Sequence, residues 1–156
     1  MCKCLPTAIA LVCLAVAINR PAHAQIQFGP QLDWASNSIG FGVGGRVEAS
    51  LAKAIPTAPG LGVVGAFNVY FPSAGTVWGA DGNATYHFQI PTLKTVSPYV
   101  GTGLALLHGI KRTGVGLNIL GGADFPGLGK FTPFGELRVV LVKSTSAFVL
   151  TGGVLF

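Results

Sequence analysis

Cysteine is absent from this sequence beyond position 13. The three cysteines, Cys2, Cys4 and Cys13, all lie in one apolar stretch near the amino terminus. The rest of the chain therefore has no disulfide, no thiol nucleophile and no thiolate ligand for a metal. A small domain stapled by disulfides and a zinc domain built on thiolates are both excluded.

Charge is also scarce. Charged residues make up 10% of the sequence, with five acidic residues against ten basic ones, whereas ordinary soluble domains are about one quarter charged. Such a chain has too little charge to cover a water-facing surface. The cations are scattered, with Lys111-Arg112 as the one adjacent pair, so the basic balance does not indicate binding to nucleic acid.

No long apolar run follows residue 24. The run that precedes it, Leu5 to Ile18, has a basic start and is followed by Ala22-His23-Ala24, a combination typical of a cleaved secretory signal peptide. It is shorter than the roughly 20 residues that a spanning helix needs. We predict that residues 1–24 are a removed signal peptide and that residues 25–156 form one domain, which has to cross any membrane by strands.

Eight segments of that domain alternate between apolar and polar or small residues. Each has about ten residues, the length that a tilted membrane strand needs, and turn-forming residues separate them. The segments are Ile26 to Ala35, Gly40 to Leu51, Leu61 to Phe71, Thr76 to Phe88, Val96 to His108, Thr113 to Phe125, Phe131 to Val142 and Ala147 to Phe156. The pattern predicts an all-β fold, an eight-stranded antiparallel up-and-down transmembrane β-barrel with both termini on one side.

The contents of the two strand faces indicate which face points inward. All five acidic residues of the domain lie on a glycine-rich polar face, together with two arginines; they are Asp33, Glu48, Asp81, Asp124 and Glu136, with Arg46 and Arg138. The other cations lie in turns or at strand ends. An eight-stranded barrel has room inside only for side chains, and a cation at the lipid-facing midplane costs about 2 to 4 kcal/mol. We therefore place the polar face inside; the alternative is a secreted, lipocalin-like soluble barrel that binds an apolar ligand.

Two short motifs add a family resemblance. Pro98-Tyr99-Val100-Gly101-Thr102-Gly103-Leu104 is similar to a strand motif of the small OmpA-like and OmpX-like outer-membrane barrels, and the terminal Phe156 resembles the assembly signal of that group. The resemblance implies a location in the outer membrane of a Gram-negative-type cell, periplasmic termini, and insertion by the barrel-assembly machinery. Members usually carry long extracellular loops, whereas the connections after the first, third, fifth and seventh segments are short here. Functions carried by such loops are therefore disfavoured.

The predicted lumen offers two pairs of opposite charges. Arg46 and Glu48 share a face of the second segment, and Glu136 and Arg138 share a face of the seventh. Since unpaired charges in a confined space are costly, we predict a cluster in which Arg46 pairs with Glu136 and Arg138 pairs with Glu48, plugging the bore. The alternative is that these side chains merely line a hydrated lumen.

An outer-membrane enzyme that modifies lipid A is the main functional alternative. Its chemistry needs a histidine with a serine or acidic partner, and the domain contains two histidines, His87 and His108. Neither has a serine at the spacing of the deacylase family, so we expect both to be side chains near an interface or turn, and we expect no enzymatic activity, cofactor or metal.

The sequence thus predicts an integral outer-membrane protein that is structural or forms a narrow, plugged, porin-like pore. Expected partners are outer-membrane lipids and the assembly machinery. Lys111 and Arg112, on the predicted outer rim, are candidate contacts for lipopolysaccharide phosphates. A monomer without nucleic acid is expected.

Overall fold

The computed structural model describes residues 26–73, 75–93, 95–109, 113–126, 130–142 and 145–156, which form a closed antiparallel β-barrel. Each strand pairs with its neighbours in sequence, and the first pairs with the last. The strands are β1 (Ile26–Ala35), β2 (Gly40–Ser50), β3 (Leu61–Tyr70), β4 (Val77–His87), β5 (Ser97–His108), β6 (Thr113–Asp124), β7 (Thr132–Val142) and β8 (Thr145–Leu155). The predicted eight-stranded up-and-down barrel is confirmed, with strand ends shifted by at most two residues. The predicted signal peptide, 1–24, lies outside the described residues, and no helix among the described residues is long and apolar enough to cross a membrane.

Side chains alternate strictly between the inside and the outside of this barrel. In β1, Gln31 and Asp33 are buried while Leu32 and Trp34 are exposed. This is the two-residue period of a strand, whose successive side chains point to opposite faces. The interior of an eight-stranded barrel is filled by side chains, so solvent does not reach the inward-facing residues. The charged strand residues and a set of buried apolar residues therefore share the interior, and large apolar residues form the outer surface.

Aromatic side chains concentrate at the two ends of the apolar outer surface. One group lies where β1 ends and β2 begins, and the other lies where β1 begins and β8 ends. The exposed members are Trp34, Phe41, Phe67, Phe71 and Phe148 in the half next to the first end, and Phe28, Tyr86, Phe88, Phe125, Phe131 and Phe156 in the half next to the second. Two aromatic girdles that flank an apolar band are the surface pattern of barrels in a bilayer.

The two ends of the barrel differ in their connections. At the end where β1 begins and β8 ends, here called the terminal mouth, the connections span residues 51–60, 88–96 and 125–131. At the opposite end, here called the turn mouth, they span 36–39, 71–76, 109–112 and 143–144. The first of these tight connections uses Asn37 and Ser38 at positive φ, a conformation that asparagine tolerates better than most residues. The longer connections therefore lie at the mouth that holds both chain ends.

Glycine on the inner face lets β4 and β5 approach each other. A Cβ atom on Gly103 would lie 2.1 Å from the backbone oxygen of Gly82 and 2.5 Å from Oδ1 of Asn83. Gly82 itself points outward, and a Cβ there would meet nothing within 4 Å.

The two glycines provide a matched test of this packing. We expect Gly103→Ala to lower the free energy of unfolding by about 1 to 3 kcal/mol, because backbone atoms have to move to relieve the overlap. Gly82→Ala should leave it nearly unchanged. Urea unfolding of both variants in detergent micelles measures the difference, and equal stabilities would mean that the close approach of β4 and β5 is not needed.

Candidate functional site

The inner face of β7 lines the lumen along the whole length of the barrel. From the terminal mouth to the turn mouth it presents Phe134, Glu136, Arg138 and Val140, all buried. The neighbouring strands add side chains at each of these levels. The lumen is therefore filled in successive layers, with ionic layers in the centre and an apolar layer near the turn mouth.

Arg46 is the centre of the first ionic layer. Its Nη1 lies 2.6 Å from Oε2 of Glu136, and its Nη2 lies 3.1 Å from Oε2 of Glu48. The Tyr99 hydroxyl donates to the same Glu136 oxygen at 2.9 Å. The guanidinium also packs over the ring of Phe134, 4.5 Å from its centroid. Arg46 is 2% exposed, so this pairing is buried; Glu48 has a second contact, with His87.

The second ionic layer differs from the sequence prediction. Arg138 does not pair with Glu48; its Nη1 forms a salt bridge with Oδ2 of Asp81. Asn118 donates from Nδ2 to Oδ1 of Asp81 at 3.0 Å and to Oδ1 of Asn83 at 2.9 Å. The physical reason is depth, because β2 and β7 run in opposite directions. At the level where Arg46 meets Glu136, Glu48 lies one inward position nearer the terminal mouth, and Arg138 lies one nearer the turn mouth.

Asp33 lies closer to the turn mouth and is held by neutral groups. The Thr151 hydroxyl donates to its Oδ1. The Asn68 amide, in the orientation that satisfies both of its ends, donates to Oδ2 of Asp33 at 2.8 Å and accepts from Nε2 of Gln31 at 3.3 Å. All four residues are buried. A polar layer without a cation of its own thus precedes the apolar one.

An apolar layer fills the lumen next to the turn mouth. Its buried members are Ala35, Tyr70, Ala105, Val140 and Val149, with Ile39, Val77, Leu107 and Val142 packed against them. Apart from the hydroxyl of Tyr70, these side chains are apolar. Dewetting of an apolar constriction is a recognised barrier to ions.

His87 joins two carboxylates at the terminal mouth. Its Nε2 lies 3.0 Å from Oδ2 of Asp124 and 3.1 Å from Oε1 of Glu48. His87 is the last residue of β4, which agrees with the prediction of an interfacial or turn-proximal side chain. The inward period of β4, through Asp81, Asn83 and Thr85, also directs it to the lumen face. That period was visible in the sequence. The contact between His87 and Asp124 could not be predicted from that period, because it depends on how the strands are arranged around the barrel.

The remaining residues that the sequence analysis singled out, His108, Phe156, Lys111 and Arg112, lie on the outer face or outside the described residues. His108 is on the outer face, where its Nδ1 is 2.7 Å from the Thr113 hydroxyl and its ring stacks on Trp78. Phe156 is exposed; its amide donates to the Phe28 carbonyl at 2.9 Å, and its ring contacts Phe28 and Phe131. Lys111 and Arg112 lie outside the described residues, so their contact with lipopolysaccharide stays a prediction.

Comparisons with known proteins relate the barrel to solved structures. No protein-family model matches the sequence, and no curated protein matches it. The structure is similar to the N-terminal β-barrel domain of Pseudomonas aeruginosa OprF, with a TM-score of 0.60 and 16% identity over 86% of this chain and 98% of that one. It is also similar to Neisserial surface protein A, with a TM-score of 0.57 and 21% identity over 83% of this chain and 94% of that one.

A third similar structure is that of an enzyme. The outer-membrane enzyme PagL matches with a TM-score of 0.53 and 10% identity over 83% of this chain and 98% of that one. At such identities the likeness concerns the fold alone, and the chain has the fold of the small eight-stranded outer-membrane barrels.

Proposed function

We propose, from the fold that this chain shares with small outer-membrane barrels, that it is an integral outer-membrane protein with a closed lumen, structural in role and not a solute channel. The observation that carries the membrane assignment is the division of its surface. Within the described strands every Asp, Glu, Lys and Arg side chain faces the lumen, and the outer surface carries large apolar residues between two aromatic girdles. A water-exposed barrel would leave this apolar band in contact with water.

The closed lumen rests on two barriers in series. The ionic layers pair Arg46 with Glu136 and Glu48, and Arg138 with Asp81. The apolar layer lies beyond them, toward the turn mouth. An ion that crosses the barrel has to displace the paired side chains and then pass an apolar constriction. These two barriers also count against a soluble barrel for an apolar ligand, because the centre of the lumen is polar and filled.

Conductance in planar bilayers tests the closed lumen. We expect no discrete steps from the wild-type protein, from E48Q/E136Q, which removes both carboxylates around Arg46, or from V140S/V149S, which makes the apolar layer polar. Because the barriers lie in series and the Arg138–Asp81 pair belongs to the ionic one, only the variant that combines all four substitutions with D81N should conduct. Steps from the wild-type protein would refute the closed lumen. Steps from E48Q/E136Q alone would show that the apolar layer is no barrier.

We also propose that the protein is not an enzyme. Among the described residues, the polar contacts of His87 are to carboxylates, and His108 has the Thr113 hydroxyl as its hydrogen-bond partner and no carboxylate. A nucleophile activated by a histidine that is itself oriented by an acid is therefore not assembled in this part of the chain. An altered acyl pattern of lipid A after incubation with the purified barrel, read by mass spectrometry, would overturn this proposal.

The remaining parts of the proposal follow from membrane residence. The barrel would be inserted as a monomer by the barrel-assembly machinery, with lipids and lipopolysaccharide around its apolar band and both termini in the periplasm. Under that orientation the terminal mouth, with its longer connections, faces the periplasm.

A further inference from the structure

We propose that Glu48, His87 and Asp124 form a binding site for a divalent transition metal ion of the Zn²⁺ type at the terminal mouth. The sequence alone suggested no metal. The inference requires the folded barrel, but it does not depend on whether the lumen conducts ions.

The three side chains bring one possible ligand atom each to the same place. One carboxylate oxygen each of Glu48 and Asp124, and Nε2 of His87, lie within 4.8 Å of one another, and the two distances to Nε2 are 3.1 and 3.0 Å. Bonds of about 2.0 to 2.2 Å to nitrogen and oxygen place neighbouring ligands of a tetrahedral zinc ion roughly 3.3 Å apart. The two distances to Nε2 are already close to this spacing, and the two carboxylate oxygens, which are up to 4.8 Å apart, would have to approach each other by about 1 to 1.5 Å to share an ion.

Hydrogen bonding alone leaves this cluster incompletely satisfied. A single proton on Nε2 of His87 has to serve two carboxylate oxygens. In addition, Oδ1 of Asp124 has no hydrogen-bond partner among the described residues, although Asp124 is only 8% exposed. A buried acceptor without a partner is costly. A metal ion in place of the Nε2 proton would bind the imidazole nitrogen and both carboxylates together.

The charge of the lumen favours a cation at this position. Five carboxylates face the lumen of the described barrel, against two guanidinium groups. Arg138 is engaged with Asp81, and Arg46 is shared between Glu136 and Glu48. The carboxylate of Asp124 has the imidazole of His87 as its one ionisable partner among the described residues. A divalent ion bound by a neutral imidazole and two carboxylates would balance the excess locally.

The site has room for solvent ligands and a rigid support. A cavity of about 200 Å³ opens beside the three side chains, and Gln27, Ser50 and Ser97 also line it. A catalytic-type zinc site has three protein ligands and one open position for water, which this cavity would supply. On the opposite side, Arg46 holds Oε2 of Glu48 and so fixes its orientation; such outer contacts typically tune metal affinity.

Titration calorimetry of the refolded barrel tests the proposal. The mature chain, without a polyhistidine tag and stripped with EDTA, is titrated with ZnCl₂ in detergent micelles. We expect one equivalent to bind, and we expect both H87Q and D124N to weaken binding at least about tenfold, the lower end of what even outer-sphere changes cost. H108Q, which removes the outward histidine, should bind as the wild type does. The heat-dependent shift of folded barrel on a denaturing gel shows that each variant has folded.

Three outcomes of the zinc titration would overturn the assignment, and competition with Ca²⁺ gives a further test. They are the absence of saturable one-to-one binding to the wild type, unchanged binding to folded H87Q, and a loss of binding in H108Q that matches the loss in H87Q. Because Ca²⁺ prefers oxygen ligands, CaCl₂ should compete poorly with Zn²⁺. Equal competition would mean that the carboxylates alone bind the ion, which also contradicts a site built on His87. If H87Q does not fold, folded D124N carries the test, and its unchanged binding is the contrary result.

Discussion

Replacing Arg46 with methionine should lower the free energy of unfolding of the barrel by about 3 to 5 kcal/mol, the usual cost of removing one partner from a buried ion pair. The guanidinium is 2% exposed and contacts the carboxylates of Glu136 and Glu48. Without it, the Tyr99 hydroxyl at 2.9 Å is the one partner left to Glu136 among the described residues, and a buried carboxylate with one neutral donor is strongly disfavoured. Urea titration in micelles, followed by tryptophan fluorescence, measures the loss.

The control for this substitution neutralises the orphaned carboxylate. R46M/E136Q should recover a large part of the stability, since the cost comes from the unpaired charge and not from the lost methylene packing. A loss below about 1 kcal/mol for R46M, with no gain from the second change, is what exposed ion pairs give. That result would favour the alternative of a hydrated lumen and would remove the ionic layer as a barrier.

The fold was predictable because a strand has a period of two and its environment has two sides. Once charge, glycine and bulky apolar residues separate onto alternate positions, as in Gly42, Gly44, Arg46 and Glu48 against Phe41, Val43 and Val47, the face of each strand is determined. Turn residues then mark the strand ends. The lumen residues Asp33, Asp81, Asp124, Glu136 and Arg138 were placed on the correct face by this argument.

The partners of the lumen side chains depend on depth, which the period does not specify. The two predicted pairs, Arg46 with Glu136 and Arg138 with Glu48, exclude each other in a barrel where β2 and β7 run in opposite directions, and strand order alone would have shown this. The stagger of neighbouring strands sets which residues share a level. That quantity comes from the register, in which Arg46 faces Ala66 and Glu136 faces Gly122, and the sequence does not supply it.

The cluster of Glu48, His87 and Asp124 at the terminal mouth could have been predicted from the sequence by a simpler argument. Every even-numbered strand of an up-and-down barrel ends at the mouth that holds both termini. Glu48, His87 and Asp124 lie at or near the ends of β2, β4 and β6 and on their inner faces. Inward polar residues at the ends of alternate strands are therefore expected to meet, because a narrow barrel brings them within side-chain reach.

An arginine at the centre of the apolar band should separate a membrane barrel from a water-soluble one. Ile119 lies in the middle of β6 and is 57% exposed, while Val115 lies on the same outer face near the turn mouth and is 64% exposed. In phospholipid vesicles we expect Ile119→Arg to lower the free energy of unfolding by about 2 to 4 kcal/mol and Val115→Arg by about 0 to 1 kcal/mol, because the cost of a lipid-facing cation falls toward the interface.

The two positions can be compared directly because both side chains are exposed on the outer face of the same strand, to a similar degree. In water, a substitution at either exposed site typically changes stability by no more than about 0.5 kcal/mol. Depth in the bilayer is thus the main physical difference between them. Urea unfolding of both variants in vesicles gives the two values, and losses that are equal and small would contradict a lipid environment around the midpoint of β6.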